Sequence, residues 1–317
     1  MKKVLCIGEA LIDMICTDRG TNLSKGQNFL KKAGGAPANV AAAIAALGGG
    51  VDMAAKVGKD PFGVHIIELL KEMGVDTQWV LQDEKHFTTF AFVSLMEDGE
   101  RDFYFNRGAD GQLSSKDLSG LKLNEYSIVH FGSATSFLTG PLQSAYIDLL
   151  EQSKKAGAII SFDPNYRHLL FRNNTQSFIY QCWPFIEQAH FFKLSDEEAI
   201  LITGCDTVHD AAASLRKKSK AVFAITMGKE GTLLSMGDHL EMIGSIAITP
   251  VDATGAGDAF VGAVLFQLIN SNPSMLEQID ADHWKKMISN ANKAGARTCE
   301  FMGAMEAFKH LNKSIFN

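Results

Sequence analysis

Residues 251–260 read VDATGAGDAF and lead directly into the apolar run AFVGAVLFQLI (259–269). That run is apolar on nearly every face, which predicts a helix that is buried on all sides. The start of a buried helix leaves backbone N–H groups that need partners, and it carries about half a positive charge. We expect the amides of Gly255, Ala256 and Gly257 to form an anion site, with Asp258 in the first helical turn. Simple helix capping is the alternative interpretation of Asp258.

The rest of the chain alternates between short apolar runs and longer helical stretches. Most of the apolar runs are continuous, as expected for strands that are buried on both faces. Repeated strand and helix predict a parallel sheet with helices on both of its faces. The predicted strands are 4–8, 53–58, 127–132, 158–163, 189–194 and 221–226. The predicted helices are 37–48, 63–74, 141–157 and 208–218.

Two stretches depart from this alternation. Residues 90–105 predict two strands joined around Asp98-Gly99, and residues 232–243 predict a hairpin that turns at Gly237-Asp238. The first hairpin interrupts the α/β series, so we expect it to act as a lid or a dimer contact. Because the chain has neither an internal repeat nor a low-complexity linker, we predict a single domain over 1–317.

Composition excludes several classes of function. The net charge is −6 and no basic block occurs, which disfavours nucleic-acid binding. The five cysteines are scattered without a CxxC pair, so a disulfide framework or a zinc site is not expected. Glu9 and Asp13 interrupt the apolar N-terminus, which excludes a signal peptide. No apolar run reaches the roughly 18–20 residues of a membrane span, and we expect a cytoplasmic protein without membrane contacts.

A second glycine turn opens the stretch AGGAPANVAAAIAALGG (33–49). Gly34 and Gly35 allow a ligand to approach the backbone closely, and Pro37 suits the first position of a helix. Asn39 lies in the first turn, where it can offer an acceptor and donors to a hydroxylated ligand. An ordinary glycine-rich turn before a packing helix is the alternative interpretation.

The two commonest nucleotide-binding motifs are absent. Gly58-Lys59 is followed by Asp60, and Gly228-Lys229 by Glu230, so neither site is a P-loop. The dinucleotide fingerprint also fails, because Phe260 stands where its third glycine belongs. A Walker NTPase and a Rossmann dehydrogenase are therefore disfavoured.

Together, VDATGAGDAFVGA and AGGAPANVAAAIAALG resemble the C-terminal and N-terminal signatures of the ribokinase-like, or PfkB-type, carbohydrate kinase family. Similar segments continue in the family's order from IGEALID to the region of Asn292, and GGAPANVA and FDPNYR look most like fructokinases. The resemblance implies a three-layer α/β/α fold with a mostly parallel central sheet and a β lid over about 12–33 and 88–110. It further implies ATP and Mg²⁺ as cofactors and phosphorylation of a primary hydroxyl of a small sugar, foremost fructose.

The resemblance also assigns roles to individual residues. Asp258 matches the catalytic base, and the anion hole is matched by Gly255, Ala256 and Gly257. The sugar side is matched by Asp13, Gly34, Gly35 and Asn39, and Arg167 matches a residue near the phosphates and the transferred group. We add Arg107, which can reach the sugar or phosphoryl group when the lid closes. The nucleotide side is matched by Asn165, Lys193, Thr226, Gly228, Gly231 and Asn292. The metal assignments are Glu198, for Mg²⁺ through water, and Asp252 and Thr254, for a monovalent cation such as K⁺.

The sequence departs from the family pattern at four positions. Ala253 replaces a frequent Thr, and Ser195 replaces a frequent Asn, which bears on how Mg²⁺ is organised. Phe105 stands where many fructokinases carry Arg, and Leu170 replaces a frequent Trp. The change in the lid bears more on sugar preference than on kinase chemistry.

Other hypotheses remain open on the sequence. Ribokinase, 2-keto-3-deoxygluconate kinase and nucleoside or aminoimidazole-riboside kinase are alternatives within the family. A nucleotide-binding oxidoreductase and a non-catalytic sugar sensor are alternatives from other classes. An exposed lid hairpin can pair across a two-fold axis, so a homodimer through the lid is expected.

Overall fold

The computed structural model describes residues 3–18, 20–96, 101–271, 276 and 278–316. Within these ranges the chain forms thirteen strands and ten α-helices. The strands are β1 (Lys3–Ile7), β2 (Leu11–Cys16), β3 (Phe29–Gly34), β4 (Gly50–Gly58), β5 (Val80–Asp83), β6 (Phe90–Leu95), β7 (Arg101–Asn106), β8 (Ile128–Phe131), β9 (Ile159–Phe162), β10 (Phe191–Ser195), β11 (Val222–Thr226), β12 (Thr232–Met236) and β13 (His239–Ile243). The helices are α1 (Ala36–Ala46), α2 (Pro61–Glu72), α3 (Pro141–Lys155), α4 (His168–Phe171), α5 (Thr175–Gln188), α6 (Asp196–Thr203), α7 (Val208–Lys218), α8 (Ala256–Asn270), α9 (Ala281–Thr298) and α10 (Ala304–Phe308).

Nine of the described strands form the central sheet, in the order β13-β12-β11-β10-β9-β8-β1-β4-β5. The pairs from β11 through to β5 are parallel, and β12 and β13 continue the sheet antiparallel at one edge. Every residue of β8 and β9 is buried, because helices cover both faces of these strands. The predicted strands are confirmed, and so is the mostly parallel sheet.

Two layers of helices enclose this sheet. The apolar side chains of α1, α8 and α9 pack on one face, and those of α3, α5 and α7 pack on the other. Helix α8 is buried along most of its length, as its uniformly apolar sequence predicts. A Cβ on Gly262 would lie 2.7 Å from the Cβ of Ala43, so small residues allow α8 and α1 to approach closely. The three-layer α/β/α fold is confirmed.

A second, four-stranded sheet has the order β3-β2-β6-β7. Strand β2 pairs antiparallel with β3 and parallel with β6, and β6 pairs antiparallel with β7. These strands lie in the two segments that the family resemblance assigned to a lid, and we call them the lid sheet. The turn predicted at Asp98-Gly99 lies outside the described residues, whereas the hairpin around Gly237-Asp238 is formed by β12 and β13.

The carboxyl ends of β1, β8, β9 and β10 meet at one edge of the central sheet, because these strands are parallel neighbours. In open α/β sheets this is the edge at which ligands bind. The first turns of α1 and α8 adjoin the same edge, since Asn39 and Asp258 are in contact there. None of the helices in the described ranges has the length and apolar character that a membrane crossing requires.

Candidate active site

The start of α8 carries the predicted anion site. Gly255 precedes the helix with φ 82°, a conformation that favours glycine, and a Cβ there would overlap Ala304. The N–H of Ala256 donates to the carbonyl of Ala253 at 3.2 Å and so closes the preceding turn. The first bond of the helix ladder runs from Ala259 to Gly255, which leaves the amides of Gly257 and Asp258 ahead of it. The Ala256 amide thus has a partner within the protein, and the anion site at Gly255, Ala256 and Gly257 stays a prediction.

Asp258 lies in this first turn and is only 6% exposed. The side-chain amide of Asn39 donates to its carboxylate at 2.8 Å, across 219 residues of sequence. Burial raises the pKa of Asp258, and the hydrogen bond from Asn39 and the charge of Arg167 only partly oppose that rise. The predicted base therefore has a higher proton affinity than a solvated aspartate.

The other end of the Asn39 side chain has no partner. Its Oδ1 is buried without a hydrogen bond among the described residues. A buried acceptor left unpaired costs about 1–3 kcal/mol, so such atoms usually meet a ligand or an ordered water. Since the same side chain holds Asp258, a hydroxyl bound at this oxygen would lie beside the carboxylate.

Asp13 and the second glycine turn form the next part of the site. A Cβ on Gly34 would overlap the Asp13 carboxylate, so only glycine leaves room for that group. Gly35 precedes α1 with φ 106°, again a conformation that favours glycine. Burial raises the pKa of Asp13 to about 6, although the charge of Arg167 opposes the rise. Arg167 therefore influences both Asp13 and Asp258, and it links the two predicted halves of the site.

Arg167 follows an unusual turn at the end of β9. Asn165 has φ 46°, a left-handed conformation in which Asn is tolerated better than most residues. Its backbone N–H donates to Asp163 at 3.1 Å, and its side chain donates to the carbonyl of Gly132 at 2.9 Å. The Asn165 amide thus fixes this turn to the end of β8. Its expected contact with the nucleotide phosphates stays a prediction.

Lys193 supplies a buried cation next to the helix start. Its Nζ lies 3.3 Å from Oδ2 of Asp163, and a Cβ on Gly257 would lie 3.3 Å from the same nitrogen. Burial opposes a charged ammonium, but the carboxylates of Asp163 and Glu198 outweigh it and raise the pKa of Lys193. The ammonium therefore stays charged close to the amides of α8.

Glu198, at the start of α6, has both oxygens engaged. Oε1 accepts the N–H of Tyr166 and Oε2 accepts the N–H of Ser195, each at 2.7 Å. No group of three or more His, Cys, Asp or Glu side chains suited to a metal occurs in the described ranges. The role predicted for Glu198, with Mg²⁺ through water, needs no such cluster and stays a prediction.

The predicted nucleotide turn follows β11. The Thr226 hydroxyl donates to the carbonyl of Leu194 at 3.3 Å. Gly228 and Gly231 have φ 54° and φ 108° and bound a single turn of 3₁₀ helix over residues 228–230. This turn joins the last parallel strand to the antiparallel edge of the sheet, beside the end of β10.

Asn292 of α9 holds the neighbouring hairpin. Its Oδ1 accepts the Thr232 hydroxyl at 2.6 Å, and its Nδ2 donates to the carbonyls of Ile243 and Gly244 at 2.9 and 3.2 Å. The structure therefore gives Asn292 a positioning role, with its amide already satisfied. A direct adenine contact stays a prediction.

The loop before α8 is tied to the start of α10. Oδ1 of Asp252 accepts the N–H and hydroxyl of Thr254 at 3.0 and 2.7 Å, and Oδ2 accepts the N–H of Gly303 at 2.8 Å. Both oxygens thus bind within the protein. The assignment of Asp252 and Thr254 to a monovalent cation stays a prediction.

Arg107, at the end of β7, is held at the base of the lid sheet. Its Nη1 donates to the carbonyl of Thr139 at 2.8 Å and its Nη2 to that of Thr135 at 3.0 Å. Its Nε lies 3.5 Å from Oδ2 of the buried Asp110. The structure therefore gives Arg107 an anchoring role, and its contact with the sugar or phosphoryl group stays a prediction.

The sequence analysis missed the role of Glu9. This buried carboxylate accepts the N–H groups of Ala36 and Ala134, each at 3.2 Å, and the hydroxyl of Ser133. It thereby joins the end of β1 to the start of α1 and to the loop after β8. Burial raises the pKa of Glu9, as expected for a carboxylate that forms no ion pair with any described residue. The sequence signal for this role is an acidic residue inside an apolar run. That signal was interpreted only as evidence against a signal peptide.

Comparison with known proteins points to one family. Residues 1–310 match the pfkB family carbohydrate kinases. Fructokinase-1 of Oryza sativa subsp. japonica is 37% identical over 307 residues, covering 95% of this chain and 93% of that protein. Fructokinase-1 of Zea mays is 38% identical over 307 residues, with the same coverage of both chains.

Solved structures show the same similarity. A fructokinase from Xylella fastidiosa with bound ATP has a TM-score of 0.86 and 27% identity, covering 99% of this chain and 96% of that one. A double mutant of a Vibrio cholerae O395 fructokinase, in a form with fructose, ADP and potassium bound, has a TM-score of 0.81 and 29% identity, covering 100% and 97%. A putative ribokinase II from E. coli with ATP and Mg²⁺ has a TM-score of 0.85 and 25% identity, covering 100% and 98%.

The helices that follow the two glycine turns meet where Asn39 donates a hydrogen bond to the buried carboxylate of Asp258. These two residues are 219 positions apart in the sequence. Sequence similarity extends from residue 1 to residue 310. The chain therefore belongs to the pfkB family of carbohydrate kinases.

Proposed function

We propose that this protein is a fructokinase that transfers the γ-phosphate of MgATP to a primary hydroxyl of fructose. The family match and the curated fructokinase relatives support a sugar kinase. The observation that carries the proposal is the pair at the start of α8. There a buried Asp258 is held by Asn39, whose Oδ1 has no hydrogen-bond partner in the part of the chain that the structure describes.

Asp258 acts as the base in this reaction. The hydroxyl oxygen of the sugar attacks the γ-phosphorus, its proton passes to the Asp258 carboxylate, and the bond between the γ-phosphorus and the bridging oxygen of ADP breaks. The raised pKa of Asp258 makes it a better proton acceptor than a solvated carboxylate. Oδ1 of Asn39 supplies an acceptor that orients a sugar hydroxyl beside this base.

Charge on the moving phosphoryl group is met by the start of α8. Phosphoryl transfer depends mainly on positioning and on electrostatic stabilisation. The amides of Gly257 and Asp258 and the Lys193 ammonium supply fixed donors and a positive charge at this point. MgATP enters as the substrate complex, and Mg²⁺ offsets the charge of the phosphates while keeping several waters.

The lid sheet supplies the sugar side. Asp13 is ionised above a pKa of about 6, so near neutral pH it accepts hydrogen bonds from sugar hydroxyls. The positive charge of Arg167 partly offsets the negative charges of Asp13 and Asp258. Segments 12–33 and 88–110 form the lid of a single domain, and Arg107 anchors its base to the carbonyls of Thr135 and Thr139.

The lid sheet also provides a dimer interface. Ile15, Leu30 and Leu95 are 36%, 40% and 58% exposed. Ile15 lies opposite Leu30, and the alternation along β6 places Leu95 on the same face of the sheet. A second copy packed on this apolar face would form the homodimer. The protein acts in the cytoplasm, where reducing conditions keep its five free cysteines as thiols.

K⁺ supports activity through the loop that precedes α8. This loop holds Asp252 and Thr254, and it is tied to Gly303 at the start of α10. A cation bound there would fix the turn that presents Gly255 and the amides after it. The potassium-bound Vibrio cholerae fructokinase supports this assignment by analogy.

A panel of sugars, assayed by coupled detection of ADP, tests the proposed function. Fructose is expected to give the highest kcat/KM among fructose, ribose, 2-keto-3-deoxygluconate and aminoimidazole riboside. A clear preference for another member of the panel would replace fructose but retain the kinase. ADP formation with none of them, together with binding of sugar, would favour a sensor. Binding of NADH in place of ATP would favour an oxidoreductase.

A further inference from the structure

We propose that Glu198 is a positioning residue, which holds the Tyr166 backbone so that Arg167 is aligned with the sugar and with Asp258. The inference rests on the proposed sugar kinase activity, because Arg167 is assigned to that reaction.

The contacts of Glu198 join two strand-end loops. Its Oε1 accepts the N–H of Tyr166 after β9, and its Oε2 accepts the N–H of Ser195 after β10, each at 2.7 Å. Hydrogen bonds from N–H groups to a carboxylate are roughly twice as strong as those between neutral groups. Glu198 thus links the turn over residues 163–167, which we call the arginine turn, to the start of α6. Tyr166 and Glu198 are 32 residues apart in the sequence.

The arginine turn needs such support. Asn165 adopts a left-handed conformation immediately before Tyr166, and non-glycine residues there persist only where the surroundings hold them. Arg167 itself is exposed, and its Nη1 donates to the carbonyl of Tyr166 at 3.2 Å. The position of the guanidinium therefore depends on the backbone that Glu198 fixes.

The surroundings of Glu198 favour the positioning role. The side chain is 6% exposed, and each of its oxygens accepts one N–H. Nζ of Lys193 lies 3.9 Å from Oε2, so a positive charge is adjacent to this oxygen. The two hydrogen bonds and the adjacent ammonium therefore fix the orientation of the carboxylate.

Binding of fructose without nucleotide or metal separates the two roles. In Glu198→Gln, one oxygen is replaced by an NH₂ group that cannot accept an N–H. Titration calorimetry in EDTA is expected to show fructose binding at least tenfold more weakly in this variant. The matched control is Glu197→Gln, which changes the exposed neighbouring residue on the same helix and should bind like wild type. Unchanged binding by Glu198→Gln, with a raised Mg²⁺ requirement for activity, would overturn the inference.

A double-mutant cycle tests whether the effect passes through Arg167. If it does, Glu198→Gln changes the fructose Kd less than threefold in an Arg167→Ala background. Fully additive losses would contradict the inference. Hydrogen exchange at the Tyr166 amide gives a test in the ligand-free wild-type protein that needs neither variant. We expect slow exchange there, and exchange at the rate of an open loop would contradict the proposed hydrogen bond.

Failure of the proposed function looks different. If wild type neither binds nor phosphorylates fructose, the substrate assignment fails, and the variants are compared with the sugar that the panel identifies. If wild type is active but Glu198→Gln binds fructose normally and only needs more Mg²⁺ for activity, the positioning role of Glu198 fails and the proposed function stands. In both cases the exchange rate of the Tyr166 amide shows whether its hydrogen bond to Glu198 is formed.

Discussion

Replacing Asp13 by Asn should stabilise the ligand-free protein above pH 6 and weaken its binding of fructose. Burial raises the pKa of Asp13 from 3.8 to about 6, while Arg167 limits the rise. The folded state therefore binds this proton more tightly than the unfolded state. It follows that ionised Asp13 opposes folding above a pH of about 6, and that this penalty fades as pH falls from about 6 to below 3.8.

The size of the effect follows from the two pKa values. A difference of about two pH units corresponds to roughly 3 kcal/mol, at about 1.4 kcal/mol for each unit. This is an upper value, because the Asp13 side chain is only half-buried and water screens part of the penalty. The expected gain for Asp13→Asn is therefore roughly 1–3 kcal/mol at pH 8, about half as much at pH 5, and about a fifth as much at pH 4.

Urea unfolding of wild type and Asp13→Asn across this pH range measures the gain directly. Other buried carboxylates, such as Glu9, are present in both proteins and cancel in the comparison. Calorimetry with fructose at pH 8 gives the functional half of the prediction, since the amide removes a charged acceptor from the sugar side. A stability difference that does not vary with pH, or a less stable Asp13→Asn at pH 8, would refute the reasoning.

Three further predictions concern the loops around the site. Gly255→Ala should lose at least about 2 kcal/mol of stability and most of kcat, because Gly255 has φ 82° and a Cβ would overlap Ala304. Gly157→Ala is the control for this variant in urea unfolding and steady-state assays. Because Gly157 has φ 70° but open space around it, this control should lose only about 1–2 kcal/mol of stability and retain kcat. Equal losses in both variants would contradict the steric argument. Asn292→Ala should raise the KM for ATP several-fold by releasing the β12–β13 hairpin, with little change in the KM for fructose, and an unchanged KM for ATP would remove that role. Replacing Na⁺ by K⁺ at constant ionic strength should increase kcat, and an equal rate in both salts would dismiss the cation assigned to Asp252.

The fold could be predicted from the sequence because its signals are local. Continuous apolar runs such as those of β8 and β9 indicate strands that are covered on both faces, and the uniformly apolar α8 indicates a buried helix. The parallel pairing of β2 with β6 was not predicted. It depends on how two segments about 80 residues apart meet in space, and local periodicity carries no signal for that.

The residues of the site could be located by motif, but their partners could not. Asp258 and Asn39 lie in recognisable glycine turns, whereas their mutual hydrogen bond depends on the packing of α1 against α8. The family resemblance assigns Asn292 to the nucleotide, and its place on the lid hairpin assigns Arg107 to the sugar or phosphoryl group. The structure engages both side chains with backbone carbonyls, a partner type that every residue offers and that no sequence motif marks.

The central claim is that Asp258 accepts the proton of the attacking hydroxyl at the start of α8. The direct measurement is kcat for fructose phosphorylation by Asp258→Asn, with fructose Kd and urea unfolding measured on the same protein. We predict that kcat falls by about 10²–10⁴-fold, or roughly 3–5.5 kcal/mol of barrier, while the fructose Kd and the fold are largely retained. A kcat near that of wild type would contradict the claim.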